Sequence, residues 1–284
     1  MGLEEQQKLW QDTTFSEVAR IFFGNPYLID SMGGLLPSCI SLKEANFVLD
    51  IGCGSGEWTR RLAREYPHVH IVGIDTSHVL IREAVDKALR EDLSSVSYVQ
   101  FDAAQPLAFS ANKCDVIHVQ SLASFLVTPM RDKIIEDMIR ILKPGGWLNI
   151  IDYEQGSTSS AAFNRLSVMG LKGVGALGGS FAPTSSTYGV AARLYGFLVE
   201  AGMIDVSYSL HTVDYGLNSH IETAQFLDDL VVGMKNFKPL VLYLGLIDSE
   251  TFDQLVEQAK EELHQPDTCG YAYLISAVGR KDPI

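Results

Sequence analysis

Phe47-Val48-Leu49-Asp50-Ile51-Gly52-Cys53-Gly54-Ser55-Gly56-Glu57-Trp58-Thr59, followed by His70-Ile71-Val72-Gly73-Ile74-Asp75, reads as an apolar strand, a glycine-dense turn, a helix start and a second strand tipped by an acid. Glycines let the main chain approach a ligand that a β-carbon would exclude. The helix that follows offers unpaired N–H groups to electronegative atoms. An acid about 20 residues beyond such a turn can accept both hydroxyls of a ribose. Asp75 stands there.

The glycine spacing narrows the nucleotide. A nicotinamide or flavin site is written Gly-x-Gly-x-x-Gly, with the pyrophosphate on the helix N-terminus. Counted from Gly52, the last of those positions is Glu57, a poor neighbour for a pyrophosphate. The chain instead has Gly52, Gly54 and Gly56, preceded by Asp50. An acid at the strand end suits a ligand with an ammonium group rather than phosphates. The site therefore fits an adenosine whose ribose meets Asp75 and whose other end is an amino acid.

Downstream segments continue the alternation of strand and helix. Val96 to Ala103 alternates as a strand ending at Asp102, and Cys114 to Gln120 reads as a fourth strand with Gln120 and Ser121 at its carboxyl end. Thr128 and Pro129 suit an N-cap and first helical position. Ile134, Ile135, Met138, Ile141 and Leu142 share a helical face, and Lys143-Pro144-Gly145-Gly146 is expected to stop that helix before a strand over Trp147–Tyr153.

Taken together, Asp50-x-Gly52-x-Gly54-x-Gly56, Asp75, Asp102-Ala103 and Leu142-Lys143-Pro144-Gly145-Gly146-x-Leu148 resemble the hallmarks of class I S-adenosylmethionine-dependent methyltransferases. With the upstream Gly33-Gly34-Leu35-Leu36-Pro37, they look like the ubiquinone-biosynthesis and secondary-metabolite branch. The resemblance implies an α/β fold, a Rossmann-like doubly wound, mostly parallel seven-stranded sheet with a helical cap, its last strand antiparallel. It implies S-adenosyl-L-methionine as cofactor and S-adenosyl-L-homocysteine as product. The implied cofactor residues are Asp50, Gly52, Gly54, Gly56, Asp75, Thr76, Asp102, Ala103, Gln120 and Ser121, with Asp102 and Ala103 holding the adenine.

Composition agrees with an enzyme of small molecules. Hydrophobic content of 46% with 20% charged residues does not indicate disorder. A formal net charge of −13 argues against a nucleic-acid partner. Cys39, Cys53, Cys114 and Cys269 lack metal-ligand spacing and read as thiols of a reducing, cytoplasmic compartment; no metal is expected. Glu4, Glu5 and Gln6 argue against a signal peptide, and the longest apolar run, Pro239 to Ile247, is too short to span a bilayer.

The alternation defines residues 1–46 as an N-terminal helical lid and 47–284 as the core, with cap insertions near 154–188 and 217–265. Trp10, Phe15, Val18, Ile21 and Phe22 give the N-terminal segment an apolar stripe, and its helices could exchange between subunits in a homo-oligomer. Phe163, Leu166, Met169, Leu171, Phe181, Phe226, Met234, Phe237 and Tyr243 make the insertions apolar. They either suit a hydrophobic small-molecule acceptor or pack cap helices together.

A sulfonium methyl is already electrophilic, so holding donor and acceptor in line and excluding water is most of the task. Asp152 and Tyr153 after the fifth strand, and His220 in the second insertion, are the candidates for handling an acceptor's proton. His118 lies inside the fourth strand and reads as a satisfied core histidine, and Asp115 as a cap for local N–H groups. Methyl transfer to a small, hydrophobic metabolite is the leading reading. A cyclase or isomerase that keeps the cofactor would show the same donor site, and a non-catalytic binding module is the third reading.

Overall fold

The computed structural model describes residues 26–103, 105–120, 131–176, 180–182, 187–214 and 223–284. Thr128, Pro129, the Trp10–Phe22 stripe, Ser121 and His220 lie outside the described residues. In chain order the strands are β1 (Phe47–Ile51), β2 (His70–Asp75), β3 (Val96–Gln100), β4 (Cys114–Gln120), β5 (Leu142–Thr158), β6 (Ile204–Asp214) and β7 (Gly270–Arg280). They form one seven-stranded sheet in the order β3-β2-β1-β4-β5-β7-β6.

Parallel register joins β1 to both β2 and β4, β2 to β3, and β4 to β5. All five residues of β1 are buried, because a parallel sheet is covered on both faces and its central strands are apolar throughout. The chain order reverses between β1 and β4, which opens the crevice at the carboxyl ends where ligands of such sheets sit. Short helices make the connections: α1 (Pro26–Ser31) precedes β1, α2 (Glu57–Glu65) follows it, α3 (His78–Arg90) follows β2, and α4 (Arg131–Ile141) precedes β5. Trp58, Leu62 and Ala63 of α2 pack with Val48, Ile71 and Val116 of the sheet in one buried cluster.

The fifth strand departs from the sequence expectation at both ends. The helix ends at Ile141, but the Lys143-Pro144-Gly145-Gly146 turn lies inside β5 as a bulge. Register jumps there from Cys114 opposite Leu142 to Val116 opposite Trp147. Gly145 takes φ +78°, and a β-carbon on Gly146 would stand 2.9 Å from the Lys143 carbonyl oxygen. At the other end the strand continues past Tyr153 to Thr158. Gly145 N donates to Lys281 O (2.9 Å) and Ser159 N donates to Cys269 O (2.7 Å), so β7 runs antiparallel beside β5.

Asp115 ties the start of β4 to the start of β1. Its Oδ2 accepts from the N–H groups of Asn46 and Phe47 at 2.9 Å each, and its Oδ1 meets Lys143 Nζ at 2.6 Å. Burial pushes this carboxyl up, but Lys143 and the two N–H groups outweigh it and hold it below its ordinary value. Asp115→Asn should therefore cost about 1–2 kcal/mol at neutral pH, the scale of charge-assisted hydrogen bonds. Because the folded pKa is depressed, the wild-type advantage is present above the unfolded pKa and disappears as pH falls through the folded one. Urea titrations of both proteins at pH 7 and in acid check this; an equal gap at both pH values contradicts it.

The chain divides into two compact units. One holds the sheet's core, Ile29–Asp152, Ala191–His211 and Ile275–Ile284, and includes α6 (Val190–Glu200) almost entirely. The other holds Tyr153–Val190 and Thr212–Leu274, with α5 (Ala161–Ala176), α7 (Thr223–Asn236), α8 (Lys238–Tyr243) and α9 (Ser249–Leu263). Glu262 of α9 caps α5 by accepting from Ala162 N (3.0 Å) and Ser160 Oγ (2.7 Å). A β-carbon on Gly173 would meet Leu240 Cδ2 at 2.9 Å, so small residues let α5 and α8 approach closely. Phe163, Leu166, Met169, Leu171, Phe226, Met234 and Phe237 are all buried, whereas Tyr243 is exposed. These apolar residues pack the helices of their own unit.

Candidate functional site

The turn after β1 has a backbone that side chains would strain. Gly52, Gly54 and Gly56 take φ +78°, +54° and +75°, in the left-handed region where glycine alone is unpenalised. The N–H groups of Gly52 and Cys53 both donate to Ile74 O, at 2.9 and 3.0 Å. Gly54 N donates to Asp75 Oδ2 at 3.0 Å, and Ser77 N donates to Asp75 Oδ1 at 2.8 Å. Asp75 thus clamps the glycine turn to the tip of β2. Each carboxylate oxygen can accept about two hydrogen bonds, so lone pairs are left for hydroxyls. Burial pushes the Asp75 carboxyl up, and the N–H groups of Ser77, Gly54 and Thr76 pull it part of the way back.

Gly54 and Gly56 serve different neighbours. A β-carbon on Gly54 would meet nothing within 4 Å, so this position faces open space. A β-carbon on Gly56 would run into the ring and hydroxyl of Tyr98 from β3. Tyr98 Oη shares a hydrogen bond with Thr59 Oγ1 at 2.7 Å, which fastens β3 to the first turn of α2. Gly73 on β2 is crowded as well: a β-carbon there would lie 2.8 Å from both the Tyr98 ring and Cys53 Sγ. Tyr98 was not among the residues expected at the site; its place in the alternation of β3 was the available signal.

Register aligns a row of polar residues across the middle of the sheet. Gly73 of β2 stands opposite Asp50 of β1, Asp50 opposite His118 of β4, and His118 opposite Asn149 of β5. Ser276 of β7 extends the row by donating to Asn149 Oδ1 at 3.2 Å. His118 is fully buried and stacks on Trp58, with ring centroids 3.8 Å apart and planes 8° from parallel. Its Nδ1 lies 2.9 Å from the Asn149 amide and its Nε2 lies 3.0 Å from the Gln120 amide. Burial holds its pKa down to about 3, so the ring is neutral, as a core histidine should be.

Asp50 is different. It is 0% exposed, and neither of its oxygens has a hydrogen-bond partner among the described residues. Burial, then the nearby Asp75 charge, push its carboxyl well above the ordinary value. Native interiors pair such groups, so this buried carboxyl beside an open glycine turn is a candidate to meet a donor or a cation.

The other expected residues are distributed around this centre. Thr76 accepts from Gln100 Nε2 through its carbonyl (3.1 Å), Asp102 is exposed and Ala103 buried just past β3, and Gln120 is buried at the tip of β4. Asp152 is buried at the end of the sheet unit's share of β5. Tyr153 begins the other unit, with the Tyr188 ring 6.0 Å away. Burial, then Tyr188 and Glu154, push the Tyr153 phenol far above its ordinary value, so it is a hydrogen-bond donor at neutral pH rather than a base. Among the described residues, no cluster of His, Cys, Asp and Glu could hold a metal ion, and no helix is long and apolar enough to cross a membrane.

Comparison with known proteins follows the same outline. Residues 48–146 match the family model of a methyltransferase domain. A demethylmenaquinone methyltransferase of Listeria monocytogenes is 32% identical over 117 residues, 40% of this chain and 47% of that protein. The 27-O-demethylrifamycin SV methyltransferase of Amycolatopsis mediterranei is 31% identical over 144 residues, 51% of this chain and 49% of that protein. The chain thus spans about half the length of these curated relatives. Among solved structures, Haemonchus contortus phosphoethanolamine N-methyltransferase 2, in complex with S-adenosyl-L-methionine, shares the fold with a TM-score of 0.55 and 19% identity, covering 95% of this chain and 57% of that one. Over residues 48–146 the chain thus resembles a methyltransferase domain of the class I S-adenosylmethionine-dependent kind.

Proposed function

We propose that this protein transfers the methyl group of S-adenosyl-L-methionine to a small, hydrophobic organic acceptor. The observation that carries the reading is the pairing of an open, side-chain-free position at Gly54 with an unpartnered buried carboxyl at Asp50, both beside the clamp made by Asp75. Those residues suit the cofactor: Asp75 would accept from ribose hydroxyls, Gly54 would admit the ligand to the backbone, and Asp50 would meet a cationic amino group. Thr76, Asp102, Ala103 and Gln120 would complete the cradle by the neighbouring strand tips, with Gly52 and Gly56 shaping the turn, and Ser121, next in sequence to Gln120, is proposed with them.

When bound, the cofactor supplies an electrophilic sulfonium methyl. The chain's own task would be to hold an acceptor in line with that methyl, to exclude water, and to let the acceptor's proton, where it has one, pass to solvent or to a nearby group. Asp152, Tyr153 and His220 are the proposed residues on the acceptor side, with Tyr153 donating a hydrogen bond. A hydrophobic acceptor is supported by the names of the relatives, which act on demethylmenaquinone and a demethylrifamycin.

The test is incubation with S-adenosyl-L-methionine and a panel of quinols, phenols and polyketides, with S-adenosyl-L-homocysteine quantified by mass spectrometry. Acceptor-dependent S-adenosyl-L-homocysteine is the expected result. A protein that neither binds S-adenosyl-L-methionine nor forms that product has another function.

A further inference from the structure

The unpartnered carboxyl of Asp50 has a consequence for how a charged ligand enters. Among the described residues, the groups that pack around it are unsuited to balance a negative charge. From β2 comes Asp75, another carboxyl; from the glycine turn comes Cys53, whose own buried thiol is pushed well up by burial and by Asp50 and Asp75. From β4 comes His118, opposite in register, neutral, with both ring nitrogens already met by the amides of Asn149 and Gln120. From β3 comes Tyr98, whose phenol is engaged with Thr59 and stays protonated. Two cations of the surrounding helices are engaged elsewhere. Arg60 of α2 contacts Glu57, Glu91 and the Ser55 carbonyl, and Lys87 of α3 contacts Glu83 and the Ser55 hydroxyl. The nearby Gly52 and Cys53 N–H groups, which could have stabilised an anion, both point to Ile74 O.

A buried carboxylate without a hydrogen-bond partner or counter-charge is costly enough that the group takes up a proton instead. We propose that Asp50 carries a proton in the ligand-free protein and loses it when the cationic amino group of the cofactor's amino-acid end arrives, so that binding is coupled to proton release. This rests on the function proposed above. The balance is simple: ligand ammonium and protein carboxylic acid become an ammonium–carboxylate pair, and one proton passes to solvent. Affinity then rises with pH by up to tenfold per unit while Asp50 is protonated in the free protein, and levels off once it is ionised there. Until that point, acid conditions select against the cofactor without any change in fold.

Titration calorimetry with S-adenosyl-L-homocysteine in phosphate and in imidazole at one mildly acidic pH tests the proposal, because the two buffers take up protons with different heats. Apparent binding enthalpies that differ by the difference between the two buffers' ionisation enthalpies times a fraction of a proton, up to one, are expected. 5′-Methylthioadenosine, which lacks the amino-acid end, should bind with no buffer dependence, and Asp50→Asn should abolish the dependence for S-adenosyl-L-homocysteine. Equal enthalpies for wild type in both buffers, with S-adenosyl-L-homocysteine bound, overturn proton coupling while leaving the proposed function standing. Equal release with 5′-methylthioadenosine assigns the proton to another group and also overturns it. Failure to bind S-adenosyl-L-homocysteine overturns the proposed function, and this proposal with it.

Discussion

Gly54→Val is expected to fold and to lose its cofactor. A β-carbon there meets no protein atom within 4 Å, so the mutant's stability cost is the left-handed backbone at φ +54°, roughly 1–2 kcal/mol. The same open space is where the ligand must approach the main chain, and a branched side chain fills it. S-Adenosyl-L-homocysteine affinity should fall by about 100-fold or more, equivalent to roughly 3 kcal/mol. Gly56→Ala should behave in the opposite sense. Its β-carbon would collide with Tyr98, which costs about 1–3 kcal/mol as overpacking in addition to similar left-handed strain. Its thermal midpoint should drop well below that of Gly54→Val. Calorimetry and thermal melts of the two mutants separate the roles, and unimpaired binding by Gly54→Val would contradict the ligand role of that glycine.

Asp75→Ala should weaken S-adenosyl-L-homocysteine by about 30–150-fold, the equivalent of roughly 2–3 kcal/mol for charge-assisted hydrogen bonds. Two causes combine. The ribose loses its acceptor, and the N–H groups of Gly54 and Ser77 lose the carboxylate that holds the turn at 3.0 and 2.8 Å. Asp75→Asn keeps one acceptor oxygen and the side-chain shape, so it should fall between wild type and alanine. Unchanged affinity in Asp75→Ala would remove this carboxylate from the ribose.

Much of the fold could be read from the chain because it is written locally. Apolar runs, the glycine turn and the acid at the tip of β2 each depend on a few neighbouring residues, and parallel strands linked by helices leave little topological choice. His118 was also legible as a core residue, since it lies inside the fourth strand with Ile117 and Val119 on the other face; Asp115 does accept from N–H groups, but from those of Asn46 and Phe47, 69 and 68 residues away, rather than from local ones. What could not be read depends on partners distant in sequence. Gly56 is small because Tyr98, 42 residues away, occupies the space beside it. Lys143-Pro144-Gly145-Gly146 has the composition of a helix stop and does follow one, but whether β5 has already begun is decided by pairing with Cys114 and Val116. The continuation of β5 to Thr158 similarly depends on β7, far downstream in the chain.

That pairing has a consequence for biogenesis. In space β7 lies between β5 and β6, although it is the last of the three to leave the ribosome. Until Gly270–Arg280 emerges, β6 has no seat in the sheet and one flank of β5 is bare backbone, the kind of surface that invites aggregation. A nascent chain can therefore assemble the half built on β3, β2, β1 and β4 early, but it can close the other half only once β7 has emerged.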